Sequence, residues 1–461
     1  MQTDIADYAV AFASKHAEYA EAYLERSTSN FFAVEQGNVN GGSYTDKSGL
    51  RVRIIKGNRL YTFSTNRLIK DEIRNAIESF KGFRGFDCSL STEKPVRAKS
   101  IVKARNALNH DEILGTLMAT DKQLVSNKFV KYRSLYGGAG RSESYFTNSE
   151  GSRIISGMPI ASFFIDIIVG NGKETRERFL QLGAIGGGEL FPEEKVKIMA
   201  EDEAKRMFNV IANGVTLSKA ALQKTRNVVV APEIIGIAVH ESVGHPDEAD
   251  RVFGREAAQA GTSYLKPESL GVRIGSENVT ILDNPLVPNA YGFFEFDDEG
   301  IRARPKVIVD KGLQKELLLN REYASQLDAH SNGSARSDSY SNEPIIRMSN
   351  TYLQKGTANP DELFSEARNG VYVKSFTEWN IDDTRSFARY QGNEAYIIRN
   401  GSIEKPVKNF MIEKSTFDFW HAVKLTAKDF ELWVGSCGKG EPMQGVPVTM
   451  GGPTTLLSFG R

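Results

Sequence analysis

"SRIISGMPIASFFIDIIVG", residues 152–170, holds the most apolar run of the chain. A membrane-spanning helix needs about 18 or more uninterrupted apolar residues, and Asp166 breaks this run well short of that. The stretch reads instead as a strand, and "FVKYRSLYGG", "SESYFTNSEG" and "ETRERFLQLG" around it read the same way, joined by turns rich in Gly and Asn. Helices flank this block, one over residues 111–126 and a long one over 192–212 after the glycine run of "AIGGGELF". Upstream, residues 3–15 form an amphipathic helix, short strands follow in "AEAYLERSTSN", "FFAVEQGNVN" and "GLRVRIIKGNRLYTFSTN", and residues 68–80 return to helix. The positively charged "EKPVRAKSIVKARN" has no clear period and reads as a solvated connection. Helices laid on hairpin-joined strands predict the α+β class, with an N-terminal domain over residues 1–222 and room for a subdivision near 95–108. The rest, residues 223–461, reads as a β-rich domain: the strand "TRNVVVAP", a helix opened by Pro232 and Glu233, then short strands and turns beyond residue 270.

The composition excludes several function classes. Lysine plus arginine equals aspartate plus glutamate at 58 each in 461 residues, so no net positive field exists to hold nucleic acid or an anionic membrane. The start, "MQTDIADYAVAFASKH", carries acids where a signal peptide needs a basic segment, which makes a cytoplasmic location the expectation. Two cysteines, Cys88 and Cys437, cannot build a disulfide framework. Neither a phosphate-binding loop, nor a dinucleotide fingerprint, nor a fixed-period repeat is present.

Chemistry concentrates in "GIAVHESVGHPDEAD", residues 236–250. Zinc peptidases of the His-Glu-x-x-His type place two ligands four residues apart on one helix face, with the glutamate as general base. Here His240 and His245 are five apart, and on a regular helix they diverge by about 140°. Gly244 and Pro246 weaken that helix, so a wide turn or kink is expected to swing His245 back beside His240, with residues 246–248 opening a new helix. A catalytic zinc takes three protein ligands, and Glu248, Asp250, His421 and Cys437 are the candidates for the third. Cys437, in "WVGSCGKGEP", has glycines that permit close approach of the sulfur to an ion, and Lys439 favours its thiolate. The plainer alternative is a pair of histidines bonded to backbone carbonyls and a buried thiol in a tight turn. The acids of "FEFDDEG", Asp297, Asp298 and Glu299, read as a turn shaping a cavity, since they lack the spacing of a calcium loop. Arg336 and Arg347 read as structural or as holders of a peptide carboxylate, and Cys88, His330 and His421 as ordinary residues.

"HESVGHPDEAD", "FEFDDEG", "PIIRMSNTYL" and "CGKGEPMQGVPVTMGGPTTLL", in this order, resemble the hallmarks of the TldD/PmbA family of peptide-processing proteases, once called modulators of DNA gyrase. The resemblance extends over nearly the whole chain and is to the TldD-type branch, which carries the histidine, glutamate and cysteine set. It implies His240, His245 and Cys437 as ligands of a zinc ion (Zn2+), with Glu241 as catalytic base. It further implies a homodimer, or a heterodimer with a PmbA-type sibling, around an enclosed cavity where unfolded or small peptides are cut, held partly as an added strand. The chain departs from the family at Pro246, where glycine is expected, and in a longer run after Cys437. A reading from another class is a peptide-holding or chaperone-like subunit that hydrolyses nothing; Glu241 beside His240 counts against it, because a structural zinc needs four protein ligands and no base.

Overall fold

The computed structural model describes residues 2–79, 86–256 and 261–460. Its fold is α+β, built on three larger sheets. The first has eight strands in the order Phe86–Asp87, Arg59–Thr65, Asn38–Lys56, Tyr19–Glu35, Val130–Asn148, Arg153–Gly170 and Arg97–Ile101, with Thr175–Ile185 also paired to Arg153–Gly170. Along Arg153–Gly170 the side chains alternate. Ala161, Phe163, Ile165, Ile167 and Val169 are buried against the helices His110–Val125 and Glu193–Asn213, each large one contributing about 1.5–3 kcal/mol of burial. Asp166 falls on the other face, half-buried. Towards the far end of the strands the helices Thr3–Ala13 and Lys70–Ser79 cover Leu24, Leu50 and Val52.

The strands are longer than the glycine and asparagine signals suggest. "FVKYRSLYGG" and "SESYFTNSEG" fuse into Val130–Asn148, because Gly137 and Gly140 are points of close approach and not turns. A Cβ on Gly137 would meet Ile113 at 2.9 Å, and one on Gly140 would meet the Thr28 carbonyl at 2.5 Å. The stretches over residues 20–35 likewise form one strand, Tyr19–Glu35, which turns at Gln36 and Gly37, both at positive φ, so that residues 38–40 open the next strand, Asn38–Lys56. The stretch expected as a connection supplies a strand, Arg97–Ile101, parallel to the start of Arg153–Gly170. The helix expected over residues 68–80 is described as Lys70–Ser79, and residue 80 lies outside the described residues.

The second sheet runs Val423–Thr426, Thr455–Ser458, Asn227–Val230, Gly370–Ile381, Phe387–Arg399, Ser402–Lys408 and Val215–Thr216, with Met411–Ser415 also on Phe387–Arg399. Val215–Thr216 thus joins this sheet from before residue 222. The third runs Leu313–Gln314, Lys306–Asp310, Ile281–Asp283, Asn350–Leu353, Gln444–Gly452 and Glu431–Lys439. The helix Pro232–Val239 touches strands of both sheets, and all eight of its residues are buried. Gly236 is what lets it approach: a Cβ there would meet the backbone of Met450 and Gly451 at 2.9–3.0 Å. That contact fixes the end of the helix next to the strand that carries Cys437. Among the described residues no helix is long and apolar enough to cross a membrane.

Candidate metal centre and its cleft

The five-residue spacing is resolved by one turn of π-helix, His240–Gly244. The His245 N–H donates to the His240 carbonyl at 3.0 Å, an i→i+5 bond that widens the turn beyond 3.6 residues and so brings positions five apart nearer to one face. The two imidazoles consequently lie with ring centroids 4.8 Å apart. A Cβ on Gly244 would lie 2.0 Å from the Met348 sulfur, so a larger residue here would have to displace that buried side chain. Residues 246–248 do not open a new helix as expected. They form a turn, Glu248 bridges to Leu318, and the helix begins only at Ala249.

The third sheet brings Cys437 to this turn. Its Sγ is 3.5 Å from His245 Nε2, and one donor atom from each of His240, His245 and Cys437 lies within 4.8 Å of the other two. All three residues are at most 5% exposed. Burial holds the His240 imidazole below its ordinary range, so it is neutral, the form that ligates metals. Its Nδ1 is buried without a hydrogen-bond partner. Burial alone would push the Cys437 thiol up, but the charge and hydrogen bond of His245 and the charge of Arg347 outweigh it and bring the thiol below its ordinary value. Glu248 orients His245: its Oε2 is 2.9 Å from Nδ1, which leaves Nε2 towards Cys437. Burial opposes the charge on Glu248, yet Lys439, His245 and Arg251 hold its carboxyl well below the usual range. Lys439 lies 3.2 Å from Glu248 and 2.6 Å from Asp250, so its charge goes to these acids, and the thiol is acted on by His245 and Arg347 instead.

Glu241, adjacent to His240 and buried, is paired with Arg385, whose Nη1 donates to its Oε2. Burial raises the Glu241 carboxyl above its ordinary value against the pull of His240 and Arg385. Sequence reasoning passed over Arg385, because nothing local marks it: it stands 144 residues from its partner. It also missed Arg178. This residue, from Thr175–Ile185 of the first sheet, holds Glu233 in the first turn of the motif helix through two bonds of 2.6 and 2.7 Å.

These residues line a cleft of about 960 Å³. His240, Glu241, His245 and Cys437 share it with Phe376, Trp379 and Arg385, with Trp433 to Gly438, and with Arg176 to Phe179 of the first sheet. Among the described strands, Thr175–Ile185 and Glu431–Lys439 are both sheet edges. The acids of "FEFDDEG" do not shape this cleft. Asp297 accepts from Glu299, Ile301 and Ala335, Asp298 from Ser337, and Glu299 from Arg53 at 2.9 Å and the Arg321 N–H at 2.8 Å. Of the three carboxylates, that of Glu299 ties the two halves of the chain together, through Arg53. Arg336 and Arg347 donate to backbone carbonyls, the latter to those of Gln444 and Cys437, and are structural. Of the other third-ligand candidates, Asp250 pairs with Lys439 and His421 is exposed, bonded to the Phe417 carbonyl. His330 is exposed, and Cys88 packs with Tyr19, Ile55 and Leu60.

Residues 223–459 match the family model described as the PmbA/TldA metallopeptidase C-terminal domain, and residues 20–93 match PmbA/TldA metallopeptidase domain 1. A metalloprotease of Methanothermobacter thermautotrophicus is 29% identical over 448 residues, 95% of this chain and 93% of that protein. A zinc metalloprotease TldD homolog of Saccharolobus solfataricus is 28% identical over 95% of this chain and 94% of its own length. Among solved structures, TldE from Thermococcus kodakarensis has the same fold, with a TM-score of 0.76 at 17% identity over 98% of this chain and 100% of that one.

Proposed function

The chain belongs to the PmbA/TldD metallopeptidase family, and from that premise we propose that it is a zinc-dependent peptidase acting on unfolded or small peptides. The observation that carries this reading is the convergence of His240, His245 and Cys437 within 4.8 Å, next to Glu241 and in one cleft. Two imidazoles and a thiol suit zinc, and the unpartnered His240 Nδ1 is a buried donor atom that a metal would satisfy. His240, His245 and Cys437 would hold the ion, which when bound supplies a Lewis acid that lowers the pKa of water to about 7 and polarises a carbonyl. Glu241 takes the proton of the attacking water on its carboxylate and passes it to the leaving amine. Glu248 keeps the His245 ring in its orientation throughout.

The edge strand Glu431–Lys439 supports an extended substrate. Its free backbone groups can pair with a peptide laid along the cleft as an added strand, a mode that is indifferent to sequence and demands an unfolded chain. We assign this work to residues 223–461, with the N-terminal part contributing the Arg176 to Phe179 side of the cleft. The active form would be a dimer enclosing the cavity, either of two copies or with a PmbA-type sibling, which the shared fold with TldE supports, and its location would be cytoplasmic. A quenched-fluorescent peptide library tests the reading: cleavage that stops with a chelator and returns with zinc supports it. Peptide binding without cleavage after zinc loading would replace it with the holding subunit.

A further inference from the structure

Arg385 lies in the hairpin turn between Gly370–Ile381 and Phe387–Arg399 and lines the cleft. Its φ of 63° is a left-handed conformation that a long side chain rarely adopts, so the surroundings must impose it. They do so from both sides. Asp382 accepts from the Thr384 N–H at 3.3 Å, the Ser386 hydroxyl at 3.0 Å and the Phe387 N–H at 2.6 Å, and its own carbonyl accepts the Arg385 N–H at 2.9 Å. The Thr416 hydroxyl donates to the Arg385 carbonyl at 2.6 Å. The guanidinium so anchored reaches Glu241, while its Nε is buried without a partner. A latch that swings away would need a loosely held turn, and this one is held by the bonds of Asp382 and Thr416.

We infer that Arg385 is a positioning residue that fixes the Glu241 carboxylate through one oxygen, leaving the other to receive the proton of the attacking water. The inference rests on the peptidase reading above. A carboxylate on a free side chain would sample several rotamers, and a base misplaced by about 1 Å costs about 100-fold in rate. Glu241 follows His240 on the π-turn, and the hydrogen bond that its carboxylate receives comes from Arg385. The over-determined turn supplies the second point of attachment.

The test uses the full chain and its Arg385→Ala and Arg385→Lys variants, loaded with zinc, on one quenched peptide that the parent cleaves. The expected result for Arg385→Ala is a kcat about 100-fold lower with KM within about 3-fold, one zinc per chain retained, and partial recovery in Arg385→Lys or on adding methylguanidinium. A second readout needs no activity: melting temperatures of the metal-free parent, Arg385→Ala, Glu241→Gln and the double variant. Losses that fail to add support a direct pair, because the double variant leaves no unpaired buried charge. Unchanged kcat in Arg385→Ala, or additive losses, overturns the inference while the peptidase reading stands. A zinc-loaded parent that cleaves no peptide overturns both.

Discussion

The motif turn at residues 240–248 and the acidic turn at 297–299 resemble each other as sequence: each packs several ligand-type side chains into a few positions. Their surroundings differ in one respect. At the acidic turn the carboxylates are taken up by protein donors, and Glu299 alone binds Arg53 and the Arg321 backbone. At the motif turn His240 keeps a buried nitrogen with no partner, and the His245 nitrogen nearest Cys437 meets only that sulfur. Density of charged residues therefore marks neither a site nor a scaffold. What separates them is whether the protein has already satisfied the donor atoms, and that depends on which distant strands arrive.

The comparison can be broken at four points. The largest effect is expected from Glu241→Ala, with peptide cleavage lower by about 10²–10⁴-fold and zinc retained, measured by kinetics alongside elemental analysis. Loss of zinc in that variant would contradict the assignment of the base. Glu299→Ala should do the reverse. It leaves the buried Arg53 with Glu21 alone, lowers stability by about 3–5 kcal/mol in denaturant unfolding, and leaves zinc binding per folded chain intact. A milder effect belongs to Glu248→Gln, which removes the charge that orients His245 and should weaken zinc binding about 10–100-fold in a chelator competition.

The smallest effect sharpens the contrast between the two cysteines. Burial pushes the Cys88 thiol from its ordinary value near 9 up to about 12. Its folded pKa exceeds its unfolded one, so the unfolded chain loses that proton first as pH rises. The stability tied to the neutral thiol is complete below about pH 9 and falls away between 9 and 12. Thermal melts from pH 8 to 11 should decline less steeply in Cys88→Ala than in the parent; parallel declines would place Cys88 outside the buried cluster with Tyr19 and Leu60.

Much of this was legible in local spacing. A spacing of five positions from His240 to His245 rules out a regular helix if both serve one ion, and Gly244 marks where the turn must widen. The α+β class followed from helix periodicity beside alternating strands. What stayed hidden depends on partners far along the chain. Gly137 and Gly140 look like turn residues until Ile113 and Thr28 are seen to press on them. Arg178 and Arg385 carry no local signal because Glu233 and Glu241 lie 55 and 144 residues away. The acidic turn was misread for the same reason: its arginine partner, Arg53, comes from the first sheet.

The most direct test of the metal centre is zinc per chain in the parent and in Cys437→Ala, purified side by side under metal-replete conditions. About one zinc in the parent and much less in the variant is the expected result, since the thiol stands 3.5 Å from His245 and 192 residues from it in sequence. Equal zinc in both would remove Cys437 from the site and contradict the account.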